Sequence, residues 1–308
     1  MHSKGFAYFV AILTTLLYSA WYISMSFLAD AYTGTYTPIF VLLAMFLVLL
    51  ALRFLPSRSR LHLYYLTDIL YPALAGFFFA IGNYLFYIVI FQQGVQFASS
   101  FGSAEIVFFV LFLWIAGKQK TRMGYYLLGS VLIAAGLIAE SAILNDISIS
   151  INVPLLEYGM LIAFIYGLAT YFYYLSTKKI ESIWGTVFYI TLFEVVVYAV
   201  LFSLFYKYIT LPAINLTFII LLLSASLLLF IAFVVETWMM KLLEPFGEGT
   251  TATGYILSDF ELLPVMFYAI YKNPTTWLSF VPGMILITLG MLLLDWQKGS
   301  KEIPQPSK

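Results

Sequence analysis

The chain of 308 residues contains no cysteine and only two histidines, His2 and His62. The absence of cysteine excludes disulfide bonds, thiol nucleophiles and cysteine-ligated metal sites. Both histidines lie outside the long apolar stretches of the chain, so a haem or zinc site inside those stretches is not expected. We therefore expect no cofactor and no bound metal.

Charged residues are also scarce, at 10% of the chain, and the net charge is zero. Without a basic surplus there is no electrostatic footprint for nucleic acid, and no nucleic-acid partner is expected. The sequence contains no P-loop, no G-x-S-x-G and no H-E-x-x-H motif. ATP is therefore not expected to drive this protein directly, and we expect that it is not an enzyme.

Apolar residues dominate instead: 63% of the residues are hydrophobic, and the mean hydropathy is +0.97. A soluble domain holds about half apolar residues. Ten apolar stretches are each long enough to cross about 30 Å of hydrocarbon as a helix. They are predicted at 5–27, 37–55, 69–91, 98–117, 123–143, 156–175, 184–206, 216–240, 250–271 and 276–296. The predicted fold class is all-α, a polytopic membrane protein with ten transmembrane helices.

The basic residues lie almost entirely on one side of these spans. Of the 15 Lys and Arg residues, only Lys207 and Lys272 fall in the connections on the other side. Basic connections stay on the cytoplasmic side during insertion, so both termini are predicted to be cytoplasmic, in a multi-pass protein of the cell membrane. No small-residue cleavage site follows the first span at a suitable distance, so that span is expected to be a retained helix.

Ten spans divide into two groups of five. Because five crossings end on the opposite side of the membrane from their start, the second group must begin from that opposite side. The chain is therefore predicted to contain two inverted repeats, at residues 1–144 and 155–308. Weak internal similarity agrees with this division. Tyr18 in the first span aligns with Tyr166 in the sixth, and a shift of 156 positions places Glu105 of the fourth span on Glu261 of the ninth.

Three stretches carry a resemblance to a known family. They are GFFFAIGNYLFYIVIFQQGVQFASSFGSA at 76–104, IYGLATYFYYLSTKKIES at 165–182, and 249–265 with its Pro264. With these the chain resembles the drug/metabolite transporter superfamily, specifically its ten-helix EamA-type members. The acids at positions 105, 194 and 261 are not part of the common pattern of that family.

The resemblance implies a secondary active transporter that works by alternating access, more often as an exporter than as an importer. Small organic metabolites, amino acids or lipophilic drugs and cations would be its substrates, with protons as a candidate coupling ion. The expected partners are that substrate and the lipid bilayer, and the protein is expected to be a monomer or a homodimer. An intramembrane enzyme and a lipid scramblase or facilitator are the alternatives.

Four acids fall well inside the predicted spans: Glu105, Glu194, Asp259 and Glu261. An ionised carboxylate at the centre of a bilayer costs about 2.5 kcal/mol or more. Apart from Arg53 near the end of the second span, the predicted spans contain no Lys, Arg or His, so each acid must face the protein interior, bind a cation or carry a proton. They are interpreted as a proton-exchanging or cation-binding site, or as neutral groups that hold helices together.

Central aromatic and amide side chains complete the candidate site. Aromatic rings with hydroxyl groups suit amphipathic substrates and cations, although ordinary helix packing explains any single ring equally well. Glu236 is placed near a cytoplasmic helix end, where it can reach water, and receives no role. The predicted substrate-binding residues are Tyr18, Trp21, Asn83, Glu105, Tyr166 and Glu261.

Overall fold

The computed structural model of the chain describes residues 3–31, 66–93, 95–118, 122–144, 153–205, 214–260, 262–272 and 277–295. These residues form helices joined by short connections, and no strand occurs among them. In chain order the helices are α1 (Lys4–Ala31), α2 (Leu66–Gln93), α3 (Val95–Ser103), α4 (Glu105–Ile115), α5 (Met123–Leu144), α6 (Val153–Lys179), α7 (Ile183–Phe205), α8 (Leu216–Leu243), α9 (Glu248–Ser258), α10 (Leu262–Lys272) and α11 (Trp277–Asp295), with a 3-10 turn at Glu244–Phe246.

Within the described residues, seven helical stretches are long and apolar enough to cross a membrane. They are Lys4–Leu28, Thr67–Ile90, Phe97–Ile115, Met123–Glu140, Leu156–Lys179, Ile183–Leu201 and Leu216–Phe246. These stretches coincide with the first and the third to eighth predicted spans, and they confirm the prediction of a protein built from apolar membrane-length helices.

The remaining three predicted spans have different outcomes. The tenth corresponds to a shorter apolar helix at Phe280–Leu294, within α11. The ninth, predicted as one helix over 250–271, is divided between α9 and α10. The second, at 37–55, lies outside the described residues.

The position of the polar residues, rather than that of the most apolar ones, decides which side of a helix faces inward. On α8 the outer side exposes Leu216, Ile220, Leu223 and Leu227. Its buried residues include Ala225, Ser226, Leu229, Phe233, Glu236, Thr237 and Met240. Lipid is as apolar as leucine, so turning leucine inward gains little, whereas a polar group in hydrocarbon lacks partners. The polar residues therefore collect in the interior.

Glycines allow α5 and α11 to pack closely along each other. A Cβ atom on Gly136 would lie 2.5 Å from the carbonyl oxygen of Gly283, and one on Gly129 would lie 2.7 Å from that of Gly290. These contacts are reciprocal, because a Cβ on Gly283 or Gly290 would meet the carbonyl of its partner glycine at 2.9 or 2.6 Å. The two contacts set an antiparallel register in which only glycine fits.

The central helices pack in pairs around the middle of the bundle. α1 packs along α8, and α2 packs along α6. α4 also packs on α6, while α9 packs on α1. α2 packs on α7 as well. This arrangement brings side chains of seven helices, α1, α2, α4, α6, α7, α8 and α9, toward one place.

Candidate functional site

One cavity lies where these helices converge, and its volume is about 70 Å³. A water molecule needs about 10–15 Å³ by this measure, so the cavity has room for several waters and must widen to admit a larger molecule. It is lined by Tyr18, Trp21, Tyr22, Phe79, Asn83, Glu105, Tyr166, Glu194, Leu229, Phe233, Glu236, Tyr255 and Asp259. The lining therefore combines aromatic rings with four carboxyl groups.

The first carboxyl group, Glu236, links α8 to α1. The Tyr18 hydroxyl donates a hydrogen bond of 2.6 Å to Glu236 Oε2. Glu236 is almost fully buried, with 2% of its surface exposed. Because α8 continues to Leu243, Glu236 lies seven residues, or about 10 Å, from the helix end. Its placement near water at a helix end was therefore wrong.

The second carboxyl group, Glu194, belongs to a chain of hydrogen bonds through Asn83. Asn83 Nδ2 donates to Glu194 Oε1 at 2.7 Å, and the Tyr166 hydroxyl donates to Asn83 Oδ1 at 2.6 Å. The amide of Asn83 thus connects α2 to both α7 and α6. Both polar atoms of this amide have a partner, as a buried amide requires.

The third carboxyl group, Glu105, begins α4 and accepts two hydrogen bonds on one oxygen. The hydroxyls of Thr170 and Tyr255 lie 2.8 and 2.6 Å from Glu105 Oε1, and 2.9 Å from each other. Three separate helices, α4, α6 and α9, meet in this triangle. Donors aimed at a carboxyl oxygen favour its ionised form, in opposition to the burial that favours the neutral form.

The fourth carboxyl group, Asp259, lies where α9 ends, and the neighbouring backbone makes contacts across the bundle. The Ser103 hydroxyl at the end of α3 donates to the carbonyl oxygen of Asp259 at 3.4 Å. The Thr15 hydroxyl donates to the carbonyl oxygen of Leu257 at 2.7 Å. Side-chain hydroxyls of this kind satisfy backbone groups that an interrupted membrane helix leaves without partners.

Trp21 on α1 lies at the centre of a cluster of aromatic rings. Its ring lies 4.8 Å from that of Tyr22 and 6.4 Å from those of Tyr18 and Tyr87, measured between centroids. Only 3% of the residue is exposed, and its indole Nε1 has no hydrogen-bond partner among the described residues. A buried donor without a partner is rare in folded proteins, so this N–H is a candidate contact for a bound molecule.

The described lining of the cavity carries acidic groups without basic ones. It contains Glu105, Glu194, Glu236 and Asp259, and no Lys, Arg or His is among the described residues that form it. Each ionised carboxylate in such a place has to be balanced by a proton or by a bound cation, since removing an unpaired charge from water is costly.

Five of the six predicted substrate-binding residues line this one cavity: Tyr18, Trp21, Asn83, Glu105 and Tyr166. The sixth, Glu261, lies outside the described residues. Their role as substrate ligands stays a prediction. Asp259 and Glu194, two of the four acids that fall well inside the predicted spans, also line the cavity.

A further buried carboxyl group, Glu140 on α5, lies outside the cavity lining. It is fully buried, and its Oε2 accepts a hydrogen bond from the Ser100 hydroxyl of α3. Its side chain packs against Gly283 of α11. Glu140 therefore joins three helices at their contact, and it provides a natural comparison for the carboxyl groups of the cavity.

Comparison with known proteins shows a similar fold in another protein. No family model matches this chain, and no curated protein matches it. One solved structure, described only as a crystal structure of a protein, is similar with a TM-score of 0.62 and 13% identity. The likeness covers 94% of this chain and 96% of that chain. At this identity it extends to the fold alone, so this arrangement of helices occurs over nearly the whole length of another protein.

Proposed function

We propose that this protein is a secondary active transporter that binds a small organic molecule in the central cavity and works by alternating access. The observation that carries the proposal is the cavity itself, in which four carboxyl groups lie inside a bundle of membrane-length helices. Ionisable groups inside a membrane are costly, and they commonly mark the path of a substrate or of protons.

Two inverted five-helix repeats, residues 1–144 and 155–308, are part of this proposal. The hydrogen bond from Tyr18 of α1 to α8 has a counterpart in the bond from Tyr166 of α6 to α2. Tyr18 and Tyr166 are the first-repeat and second-repeat tyrosines that align in the sequence. Ten spans in two inverted repeats relate the first span to the sixth and the eighth to the third, which makes the two bonds equivalent.

Two further contacts support the same symmetry. Gly129 and Gly136 have counterparts 154 positions later, and each glycine of α5 packs against the counterpart of the other. Ser103 and the carbonyl oxygen of Asp259, which are 156 positions apart, touch each other near the cavity. Contacts between symmetry-related positions are expected close to a two-fold axis.

Irregular helix geometry at related places fits alternating access. At Ala104, between α3 and α4, the backbone angles stay helical but the N–H of Val107 bonds to the Ala104 carbonyl, three residues back. At the corresponding position of the second repeat, Asp259–Phe260 separates α9 from α10. In transporters built from inverted repeats, broken helices flank the binding site near the bilayer midplane. We propose that rocking of one repeat against the other opens the cavity to each side in turn, with both termini in the cytoplasm of a cell-membrane protein.

Reconstitution into proteoliposomes tests this proposal. A panel of small labelled organic cations, anions, zwitterions and neutral molecules would be offered to vesicles with and without a pH gradient. Saturable uptake of at least one class, absent from protein-free vesicles, is expected. Uptake should fall at least tenfold in the Glu236→Gln variant, because the glutamine keeps the shape but cannot take up and release a proton or balance a cation.

The matched control is Glu140→Gln, which changes a carboxyl group that is equally buried but lies outside the cavity. This variant should keep uptake within about twofold of the unchanged protein.

Transfer of a fluorescent lipid between leaflets is measured on the same vesicles. Lipid transfer without uptake of any solute would reject the transporter and favour a scramblase.

A further inference from the structure

We infer that the substrate is a small primary amine in its cationic form that also carries a hydrogen-bond acceptor. This inference deepens the proposed function, on which it rests. Its ammonium group would lie among Glu105, Glu236 and Asp259, and its acceptor would receive the indole N–H of Trp21.

The three acids lie close enough together to influence one another. Glu105, Glu236 and Asp259 all line one cavity of about 70 Å³, and so does Tyr255, whose hydroxyl donates to Glu105. Like charges that close in a medium of low dielectric repel strongly, so all three cannot stay ionised without a counterion. No Lys, Arg or His is among the described residues that line the cavity to supply one. A bound cation fills that electrostatic requirement.

The carboxylates retain acceptor sites beside the donors that already bind them. These sites favour a ligand group with N–H donors over a group without them. Thr170 and Tyr255 occupy Oε1 of Glu105, and Tyr18 occupies Oε2 of Glu236. Each carboxylate oxygen has two lone pairs, so these groups retain acceptor sites for further donors. A primary ammonium carries three N–H donors and can bond to more than one carboxylate, whereas a quaternary ammonium carries none.

The acceptor requirement comes from Trp21, which is independent of the acids. Its ring lines the cavity, and its N–H has no partner among the described residues. An indole nitrogen can only donate, so a ligand atom that satisfies it must be an acceptor. An ether, hydroxyl or carbonyl oxygen on the amine would fulfil that role.

The same lining argues against anions and zwitterions, including amino acids. A carboxylate on the ligand would be placed among acids, and the part of the lining that the structure describes holds no Lys, Arg or His to balance it. Aromatic faces from Tyr18, Trp21 and Tyr22 add attraction for a cation and none for an anion. The cavity volume of about 70 Å³ restricts the amine to a few non-hydrogen atoms unless the cavity widens.

Binding to the purified full-length protein tests the inference with ligands that share one carbon skeleton. Pentylamine is the cation, pentan-1-ol the neutral molecule, hexanoate the anion, and norleucine the zwitterion that adds a carboxylate to pentylamine. Dissociation constants are obtained from ligand-dependent thermal stability, because a ligand that binds the folded state raises its melting temperature. Pentylamine is expected to bind at least tenfold more tightly than each of the other three.

Two variants locate the ammonium group. Glu236→Gln and Glu105→Gln should each weaken pentylamine binding at least tenfold and leave pentan-1-ol binding unchanged. Glu140→Gln should leave both unchanged, because Glu140 does not line the cavity. The two cavity variants are tested separately, so failure of one to fold still leaves the other as a measurement.

A matched pair of amines tests the acceptor. In 3-methoxypropylamine an ether oxygen replaces one methylene of pentylamine. The ratio of the two dissociation constants is measured in the unchanged protein and in Trp21→Phe, which keeps an aromatic ring but lacks the N–H. The preference for the ether should fall about threefold to tenfold in Trp21→Phe, the size of one neutral hydrogen bond.

Tighter binding of hexanoate, norleucine or pentan-1-ol than of pentylamine would overturn the inference, and so would absence of pentylamine binding. An unchanged ether preference in Trp21→Phe would overturn the acceptor. These failures differ from failure of the proposed function. A protein that binds the amines but moves no solute in proteoliposomes would keep the inference and lose the transporter, and uptake of an anion alone would do the reverse.

Discussion

Three of the four carboxyl groups of the cavity accept hydrogen bonds from different neutral groups. Glu236 accepts from a tyrosine, Glu194 from an amide, and Glu105 from a threonine and a tyrosine. All these donors are neutral, so they satisfy the carboxyl oxygens without cancelling their charge. A basic partner would neutralise the group permanently, whereas neutral donors leave it able to exchange a proton or to bind a cation.

The bond between Tyr18 and Glu236 is expected to contribute measurably to stability. Tyr18→Phe and Glu236→Leu should each lower the free energy of unfolding in mixed micelles, and the double variant should lose less than the sum of the two. A coupling of about 0.5–2 kcal/mol is expected, as measured for polar contacts inside membrane proteins.

The control cycle combines Tyr18→Phe with Glu140→Leu, because Tyr18 is not bonded to Glu140. Those two effects should add within about 0.5 kcal/mol, as for sites without shared partners. Additive effects for Tyr18 and Glu236 as well would show that their 2.6 Å contact contributes nothing.

Sequence reasoning reaches part of this site because polar groups deep in apolar spans are costly and therefore conspicuous. That argument selected Asn83 and Glu105. Trp21 was selected because aromatic rings deep in the spans suit amphipathic substrates and cations. It missed Glu236 because the predicted end of the span fell at 240, while the helix continues to Leu243. Hydropathy could not place that end, since the residues beyond it are also largely apolar.

At the scale of helices, α5 and α11 depend on glycine for their contact. Gly136→Ala would place a methyl group 2.5 Å from a backbone oxygen of Gly283, which cannot move away as a flexible side chain would. We expect a loss of about 1–3 kcal/mol in the free energy of unfolding, as for other overpacked sites.

The matched control is Gly124→Ala on the same helix, where a methyl group would meet nothing within 4 Å. This change should be neutral or stabilise by up to about 1 kcal/mol, because alanine favours the helix. A change at Gly136 as small as the change at Gly124 would contradict the glycine contact.

Lys241 connects the end of α8 to the end of α6 by hydrogen bonds. Its Nζ donates to the carbonyl oxygens of Thr177 and Ile180, both at 2.7 Å. Lys241→Met keeps most of the length of the side chain but lacks the ammonium group, so these carbonyls lose that donor. The free energy of unfolding should fall by about 1–3 kcal/mol.

Lys179→Met at the same end of α6 serves as the comparison, because Lys179 is exposed. It should change the free energy of unfolding by no more than about 0.5 kcal/mol. A loss as large as that of Lys241→Met would assign the effect to net charge at this end of the helices rather than to the two bonds.

The irregularity at Ala104 and the interruption at Asp259–Phe260 show why helix continuity was harder to predict than helix position. Hydropathy sums over a window and does not respond to a local change of hydrogen bonding. No proline marks Ala104, whose backbone angles stay helical, whereas Pro264 lies four residues after Phe260 and has no N–H to bond the Phe260 carbonyl. Ser103 and Thr15 donate to the carbonyl oxygens of Asp259 and Leu257 from across the bundle, and hydropathy does not register these contacts.

For the whole molecule, the distribution of basic residues predicts which ends of the helices face the cytoplasm. Single cysteines at Lys118 or Glu181 should be shielded from an impermeant thiol reagent in intact cells, and those at Ile214 or Tyr271 should react. All four positions are exposed, and the chain has no cysteine of its own. The opposite pattern would invert the orientation, and a mixed pattern would contradict the order of the spans.

The central claim is that the acid-lined cavity opens to each side of the membrane in turn. Leu229 lines this cavity, while Leu227 on the same helix is exposed on its outer surface. A single cysteine at position 229 is tested with an impermeant thiol reagent applied from either side of sealed vesicles, with cysteine at position 227 as the control. We predict that position 229 reacts from both sides, that pentylamine slows both reactions, and that position 227 shows no such protection. Reaction from one side only, or no protection at position 229, would contradict the account.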